Sequence, residues 1–461
     1  VARPLTDRLG RRYGPPVTSE DGGPPRGRLA RTARLAALPA AHAGRTAVGI
    51  GKRLGGRLAE AVAAQVQQRT AEQLFAVLGQ LKGGAMKVGQ AMSAMEAALP
   101  EQLAGPFRES LVKLQEAAPA MPTPLVHGQL EGAFGPDWRR LFRDFDDRPV
   151  AAASVGQVHR AAWSDGTPVA VKVQYPGAGA ALVADLGVLQ ALTPLVQAAA
   201  PGLDARQLLA ELRDRLVDEV DYVREADAQT AFADAYRDDP DIAVPDVLAV
   251  EGQVLVTRWV DGTPLARVIA DGTPDDRDRA GQLLVRLLAS APVRARRLHG
   301  DPHPGNFRLL PDRRLAVLDF GATEALPDGW PARLGPLLAA GRDGDAVALH
   351  RIAASAGLLR PDRVTETALL ALLDPYLQPL RSPSYRFTRA WMQEQTRLAS
   401  DPFSAAARTQ RRLTIPPRHL LLQRVAAGLA GVLCSLDATV AVDTELRRWL
   451  PGYDGPRLHH R

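Results

Sequence analysis

The 461-residue chain holds a single cysteine, Cys434, which excludes an internal disulfide. It sits in an apolar helical pattern and reads as a small core residue. Aromatics make up only 5% of the residues. Lysine is scarcer still. Of 57 basic side chains, only Lys52, Lys82, Lys87, Lys113 and Lys172 are lysines. A chain this committed to arginine keeps lysine where a compact ammonium matters. No uncharged apolar run approaches the ~20 residues of a spanning helix. The best stretch, 178–200, is interrupted by Asp185, Gly187 and Pro194. No apolar segment follows the N-terminal charges, so no secretory signal is expected. These absences point to a cytoplasmic protein, peripheral to a membrane at most.

Charge is uneven. Residues 1–60 carry twelve basic and four acidic side chains, net +8, which leaves the remainder at −2 against a total of +6. A basic run of this kind suits an anionic surface such as a lipid headgroup layer. Tyr13 is the only aromatic in it, so stacking on nucleic acid is not expected.

The richest stretch is His299–Gly321, HGDPHPGNFRLLPDRRLAVLDFG. Asn306 follows Asp301 by five residues, and Asp319 opens a D-F-G thirteen residues later. Phosphoryl transfer from a Mg-nucleotide uses such groups. One carboxylate, Asp301, orients the acceptor and takes its proton. An amide oxygen, Asn306, and a second carboxylate, Asp319, hold Mg²⁺ against the phosphates. Phe307–Leu310 and Leu315–Leu318 read as strands around a Pro-Asp-Arg turn. That hairpin would return Asp319 to the first site. A metal site built on His299, Asp301 and His303 is the competing reading, but it leaves D-F-G unexplained.

Upstream, 155–160 and 169–175 flank a Ser-Asp-Gly-Thr turn and form a hairpin. Lys172 lies in V-A-V-K, where a lysine reaches nucleotide phosphates and pairs with a helix carboxylate. The run Ala151, Ala152, Ala153, Ser154 before it is expected to be a loop whose backbone N–H groups approach phosphate. A helix over 206–236 carries Glu219, Asp221 and Glu225, with Glu219 the first choice as partner of Lys172. A second hairpin is expected over 247–257, then a hinge at 259–264. Helices are expected at 276–296, 330–340, 345–356, 365–377 and 416–436.

Taken in order, K-x-G-Q (Lys87, Gly89, Gln90), A-A-A-S, V-A-V-K, E-x-D (Glu219, Asp221), D-P-H-P-G-N and D-F-G resemble the UbiB/ADCK (aarF-domain) family of atypical protein-kinase-like proteins. The resemblance covers about residues 55–440. It implies an α/β (α+β) protein-kinase-like fold with two lobes, an N-terminal helical extension and a mostly helical C-terminal lobe. It also implies ATP or ADP with Mg²⁺, ATPase or kinase activity, and support of isoprenoid quinone or other lipid metabolism. The helix carrying Lys87, Gly89 and Gln90 would cross the cleft, bring Lys87 to Glu219 and Asp221 and regulate access, with Asp221 and Glu225 also counted as regulatory. The expected partition is a basic leader at 1–27, the extension at 28–120, an upper lobe at 121–262, a lower lobe at 263–450 and a tail at 451–461. Isoprenoid or quinone-type lipid, an anionic membrane surface and lipid-biosynthetic enzymes are the implied partners. The chain departs from the pattern with H-G-D for H-A-D, with Arg258 at an expected acid, and without C-terminal spans. A small-molecule kinase of aminoglycoside or choline type and a non-catalytic ATP-sensing scaffold are the alternatives.

Overall fold

The computed structural model describes residues 120–153, 155–178, 220–400, 404–414 and 417–454. The basic leader, Lys87, Gly89, Gln90, Ser154 and Glu219 lie outside them.

Helix α1 (Thr123–Phe134) begins directly after Pro122. Pro124 stands in its first turn, where the missing N–H would have had no helical partner anyway. Strand β1 (Phe142–Ala153) follows, then β2 (Gly156–Trp163) and β3 (Pro168–Gln174). The alanine run is thus the end of a strand, not a loop: Ala151, Ala152 and Ala153 pair with Val158, Gln157 and Gly156.

Helix α2 (Tyr222–Ala235) is capped by Asp221, whose carboxylate accepts from Arg224 N–H. Of the helix expected over 206–236, the described residues show Tyr222–Ala235, starting at the Asp221 cap. After β4 (Ile242–Ala243), strands β5 (Val247–Glu251) and β6 (Val254–Arg258) form the second expected hairpin. They complete an antiparallel sheet in the order β1-β2-β3-β6-β5. Val169, Val171 and Val173 of β3 face the apolar side of α1, with Val126 and Leu130 among them. The period of two turns Lys172 to the opposite face. Arg258, at the expected acidic position, bonds Asp246 at 3.0 Å on the rim of this sheet.

The lower part starts at β7 (Thr263–Pro264), α3 (Leu265–Asp271) and α4 (Pro274–Arg294), which Thr273 caps. Strands β8 (Arg297–His299), β9 (Phe307–Leu309), β10 (Leu315–Val317) and β11 (Thr323–Ala325) carry the motif stretch. The β9–β10 hairpin turns through Pro311–Arg313, with Arg313 at φ 66° closing a three-residue loop.

Helices α5 (Leu334–Arg342), α6 (Ala346–Ser355) and α7 (Glu366–Arg381) come next, followed by the short strand β12 (Tyr385–Arg386). Helices α8 (Arg389–Ser400), α9 (Ala405–Gln410) and α10 (Pro417–Leu436), strand β13 (Thr439–Val440) and helix α11 (Val442–Trp449) complete the description. Helices α8, α9 and α11 were not among the expected ones. No helix among the described residues is long and apolar enough to cross a membrane.

The main core joins α2 to α4, the β9–β10 hairpin and α10, through Phe232, Leu284, Phe307, Phe320 and Leu433. Cys434 is buried there as well. Gly281 lets α4 press against its neighbours. A Cβ on it would stand 2.8 Å from Ala438 Cβ and 3.0 Å from Val440 Cγ1. Gly281→Ala gains about 1 kcal/mol of helix propensity but overpacks this contact at about 1–3 kcal/mol. The expected result is a net loss of stability in urea denaturation. A gain would show that the α4 packing can relax.

Candidate functional site

The site is built on one cross-strand rank. Ala151 of β1, Val158 of β2, Lys172 of β3 and Leu255 of β6 are successive partners across the sheet. Directly opposite residues in antiparallel strands share a face. The Lys172 ammonium projects from that face and donates to both carboxylate oxygens of Glu225 at 2.8 Å. It also reaches Asp319 Oδ2 at 3.3 Å. The Tyr222 ring lies 5.0 Å from Nζ, within the range of a cation–π contact. Burial alone would lower the Lys172 pKa. Asp319 and Glu225 outweigh it and raise the pKa above the ordinary value, so the amine is held charged.

The expectation that Glu219 partners Lys172 is therefore corrected: Glu225 does. The cap at Asp221 explains it. Helix α2 starts at Tyr222, so Glu225 stands in its first turn facing β3, whereas Glu219 precedes the cap and lies outside the described residues. Asp221, expected to be regulatory, has the cap as its described role.

The hairpin returns Asp319 as the spacing required. Leu318 N–H donates to the Asn306 carbonyl at 2.9 Å, which sets Asp319 beside the Asp301–Asn306 loop. Asn306 Nδ2 donates to the Asp301 carbonyl at 3.2 Å. Because the amide nitrogen is fixed there, its Oδ1 is the atom left to meet a cation. Asp319 Oδ1 accepts from Gly321 N–H at 3.1 Å. Asp301 Oδ1 accepts weakly from His303 N–H at 3.3 Å. Asn306 and Asp319 thus offer hard oxygen donors, which suit Mg²⁺, an ion that takes one or two protein oxygens and keeps its remaining positions for phosphate and water.

Sequence reasoning missed what His299 and Arg224 do. His299 Nε2–H donates to the Asp319 carbonyl at 2.8 Å. Its Nδ1 is buried without a partner among the described residues, and the ring packs among Phe232, Phe307 and Phe320. Burial pushes its pKa below the ordinary value. His303 Nδ1 accepts from Gly305 N–H at 3.1 Å. The histidines proposed for a metal site are thus used to shape the loop. Arg224 donates to the Thr323 carbonyl at 3.1 Å, tying the start of α2 to the segment after D-F-G. Gly300, the departure from H-A-D, is required by packing: a Cβ would stand 2.2 Å from the Ala322 carbonyl oxygen.

The family model described as the ABC1 atypical kinase-like domain matches residues 113–351. The chain belongs to this family. Among curated relatives it is 33% identical over 313 residues to the Caenorhabditis elegans atypical kinase coq-8, mitochondrial, covering 65% of this chain and 40% of that one. It is 31% identical over 282 residues to the Rattus norvegicus atypical kinase COQ8B, mitochondrial, covering 60% and 52%. The chain spans about half the length of the curated relatives it matches. A solved structure, the complex of Rv3197 with erythromycin from Mycobacterium tuberculosis, is 42% identical with a TM-score of 0.66, covering 86% of this chain and 100% of that one. The fold is accordingly kinase-like, with mixed helices and sheets.

A second buried imidazole, His159, lies on β2. Its Nδ1–H donates to the Asp146 carbonyl and its Nε2 accepts from the Gln157 amide, both at 2.8 Å. Burial lowers its pKa too. A pKa depressed in the fold means that the unfolded chain binds the extra proton first. The stability of both histidines is therefore present above about pH 6.5 and lost as pH falls below it, by up to about 1.4 kcal/mol per pH unit for each. Urea denaturation at pH 7.5 and 5.5 measures this. Equal stability at both would mean the two rings accept protons in the folded state.

Proposed function

We infer that the chain binds a Mg-nucleotide at the Lys172–Asp319 site and acts as an atypical kinase or ATPase in support of isoprenoid quinone or other lipid metabolism. The observation that carries this reading is the single ammonium held between Glu225 and Asp319, with Asn306 joined to the same hairpin. Lys172 binds the phosphates of ATP or ADP. The end of β1 at Ala151–Ala153, with Ser154, covers them through its backbone. Asn306 and Asp319 hold Mg²⁺, which when bound neutralises phosphate charge. Asp301 takes the proton of the attacking hydroxyl or water. An upper lobe at 121–262 and a lower lobe at 263–450 fit this division of labour. Lys87, Gly89 and Gln90 would regulate access to the cleft from the preceding extension.

A lipid of isoprenoid or quinone type and an anionic membrane surface are the proposed partners beyond the nucleotide. The names of the relatives, atypical kinases of the coenzyme Q group, support the metabolic assignment. A second reading rests on the relative solved with erythromycin: a macrolide-class small molecule as ligand or acceptor.

Asp319→Asn removes a metal charge and is expected to abolish Mg-dependent ATP binding in calorimetry. Equal binding by wild type and variant would reject the metal assignment. Asp301→Asn is expected to spare that binding and to slow Mg-dependent ATP hydrolysis by about 10²-fold or more. Unchanged turnover would remove Asp301 from the role of base. Adding anionic liposomes or erythromycin to the same assay separates the lipid reading from the macrolide one.

A further inference from the structure

The ion-pair network at the far end of α2 takes no part in the chemistry described above. Asp239, four residues after the helix ends, is buried with its side chain only 1% exposed. Its Oδ1 accepts from the N–H groups of Asp241 and Ile242, both at 2.9 Å. Its Oδ2 accepts from Arg286 at 2.9 Å and from Arg294. Arg294 also donates to the Ala235 carbonyl at the end of α2 and lies over the Tyr236 ring, 4.2 Å from its centre. The Tyr236 hydroxyl meets Ser290 Oγ at 2.6 Å.

Arg286, Ser290 and Arg294 follow one another at intervals of four on α4, so they form a single stripe. All three grip the C-terminal end of α2. The same α4 leads directly into β8, which carries His299 and delivers Asp301. The other end of α2 carries Glu225. One stripe therefore fixes the helix that presents Glu225 to the helix that presents Asp301.

We propose that Asp239, with Arg286 and Arg294 as its counter-ions, is a positioning residue that holds Glu225 against Lys172 through the length of α2. The proposal rests on the nucleotide reading for its effect on binding, but not for its effect on Lys172 itself. Glu225 and Ala235 are ten residues apart, about 15 Å along a helix. A small tilt allowed at one end displaces the carboxylate at the other. A displacement near 1 Å is enough to disable a reacting constellation.

The test uses the full chain and a double-mutant cycle. Arg294→Met removes the guanidinium but keeps the stem; Tyr236→Phe removes only the tie to Ser290. Each is made in wild type and in Glu225→Gln. Two quantities are read at a temperature where circular dichroism shows the variants folded: the acylation rate of Lys172, followed by mass spectrometry, and the Kd for Mg-ADP. Arg294→Met is expected to raise Lys172 acylation and weaken Mg-ADP binding at least about fivefold in the wild-type background, and to change neither when Glu225 is already Gln. Tyr236→Phe is expected to act in the same direction with smaller size, and Arg294→Lys to recover part of the loss. A folded Arg294→Met with wild-type Lys172 acylation overturns the proposal, as do equal increments in both backgrounds, the mark of a merely structural tie. If Arg294→Met does not fold, Asp239→Asn, which keeps the acceptor and removes the charge, decides by the same criteria. If wild type does not bind Mg-ADP, the nucleotide reading fails while Lys172 acylation still decides this one.

Discussion

One ammonium between two carboxylates is the constraint that organises the described residues. Lys172 Nζ stands 2.8 Å from Glu225 and 3.3 Å from Asp319. Each of the three charges comes from a different part of the chain: a strand of the upper sheet, a helix, and the end of the β9–β10 hairpin. Burying charge is costly unless it is paired, so the contacts that bring these parts together must be firm enough to keep the pairing. Asp319 also brings a carboxylate oxygen to this pair, the hard donor that a cation such as Mg²⁺ takes.

Helix α2 supplies that firmness in an asymmetric way. Its apolar face, with Ala228, Phe232 and Tyr236, belongs to the lower core that also holds Phe307 and Phe320. Phe232 packs 5.1 Å from the Phe320 ring of D-F-G. Arg224 ties its start to Thr323, and Asp239 ties its end to α4. The helix is thus bound to the part of the chain that carries Asp301 and Asp319, while Lys172 belongs to the sheet. The Lys172–Glu225 pair bridges these two parts.

The sequence was most readable where local rules and packing agree. Both hairpins carry alternating apolar residues around turn dipeptides, and the motif hairpin carries its own three-residue turn. It was misleading where a short polar signal outranks a long pattern. An unbroken helical period across 206–236 hid the cap at Asp221, and with it the shift from Glu219 to Glu225. Ala151–Ala153 lack the branched side chains of a typical strand, so their sequence suggests a loop; backbone pairing with β2 makes them strand all the same. Helix α9 is only six residues long, whereas α8 and α11 do carry an amphipathic pattern, with Val442, Leu446 and Trp449 on one face of α11. His299 is legible as a motif letter, but its bond to the Asp319 carbonyl depends on a strand pairing, β8 with β11, that no local pattern announces.

The scarcity of lysine gains its meaning from this geometry. Arginine serves nearly everywhere else as the cation of this chain, including the buried pairs with Asp239. A guanidinium is planar and binds a carboxylate side-on through two parallel bonds. It could hold Glu225 or Asp319 in that way, but its charge would be spread over a plane and its donors fixed in a fork. The ammonium of Lys172 is a point charge with three rotatable donors. It can hold both oxygens of Glu225, reach Asp319 and rest against the Tyr222 ring from a single atom. The same compactness lets it redirect a donor toward a phosphate oxygen without losing Glu225. The site therefore demands lysine for geometric reasons, even in a chain whose composition otherwise turns to arginine.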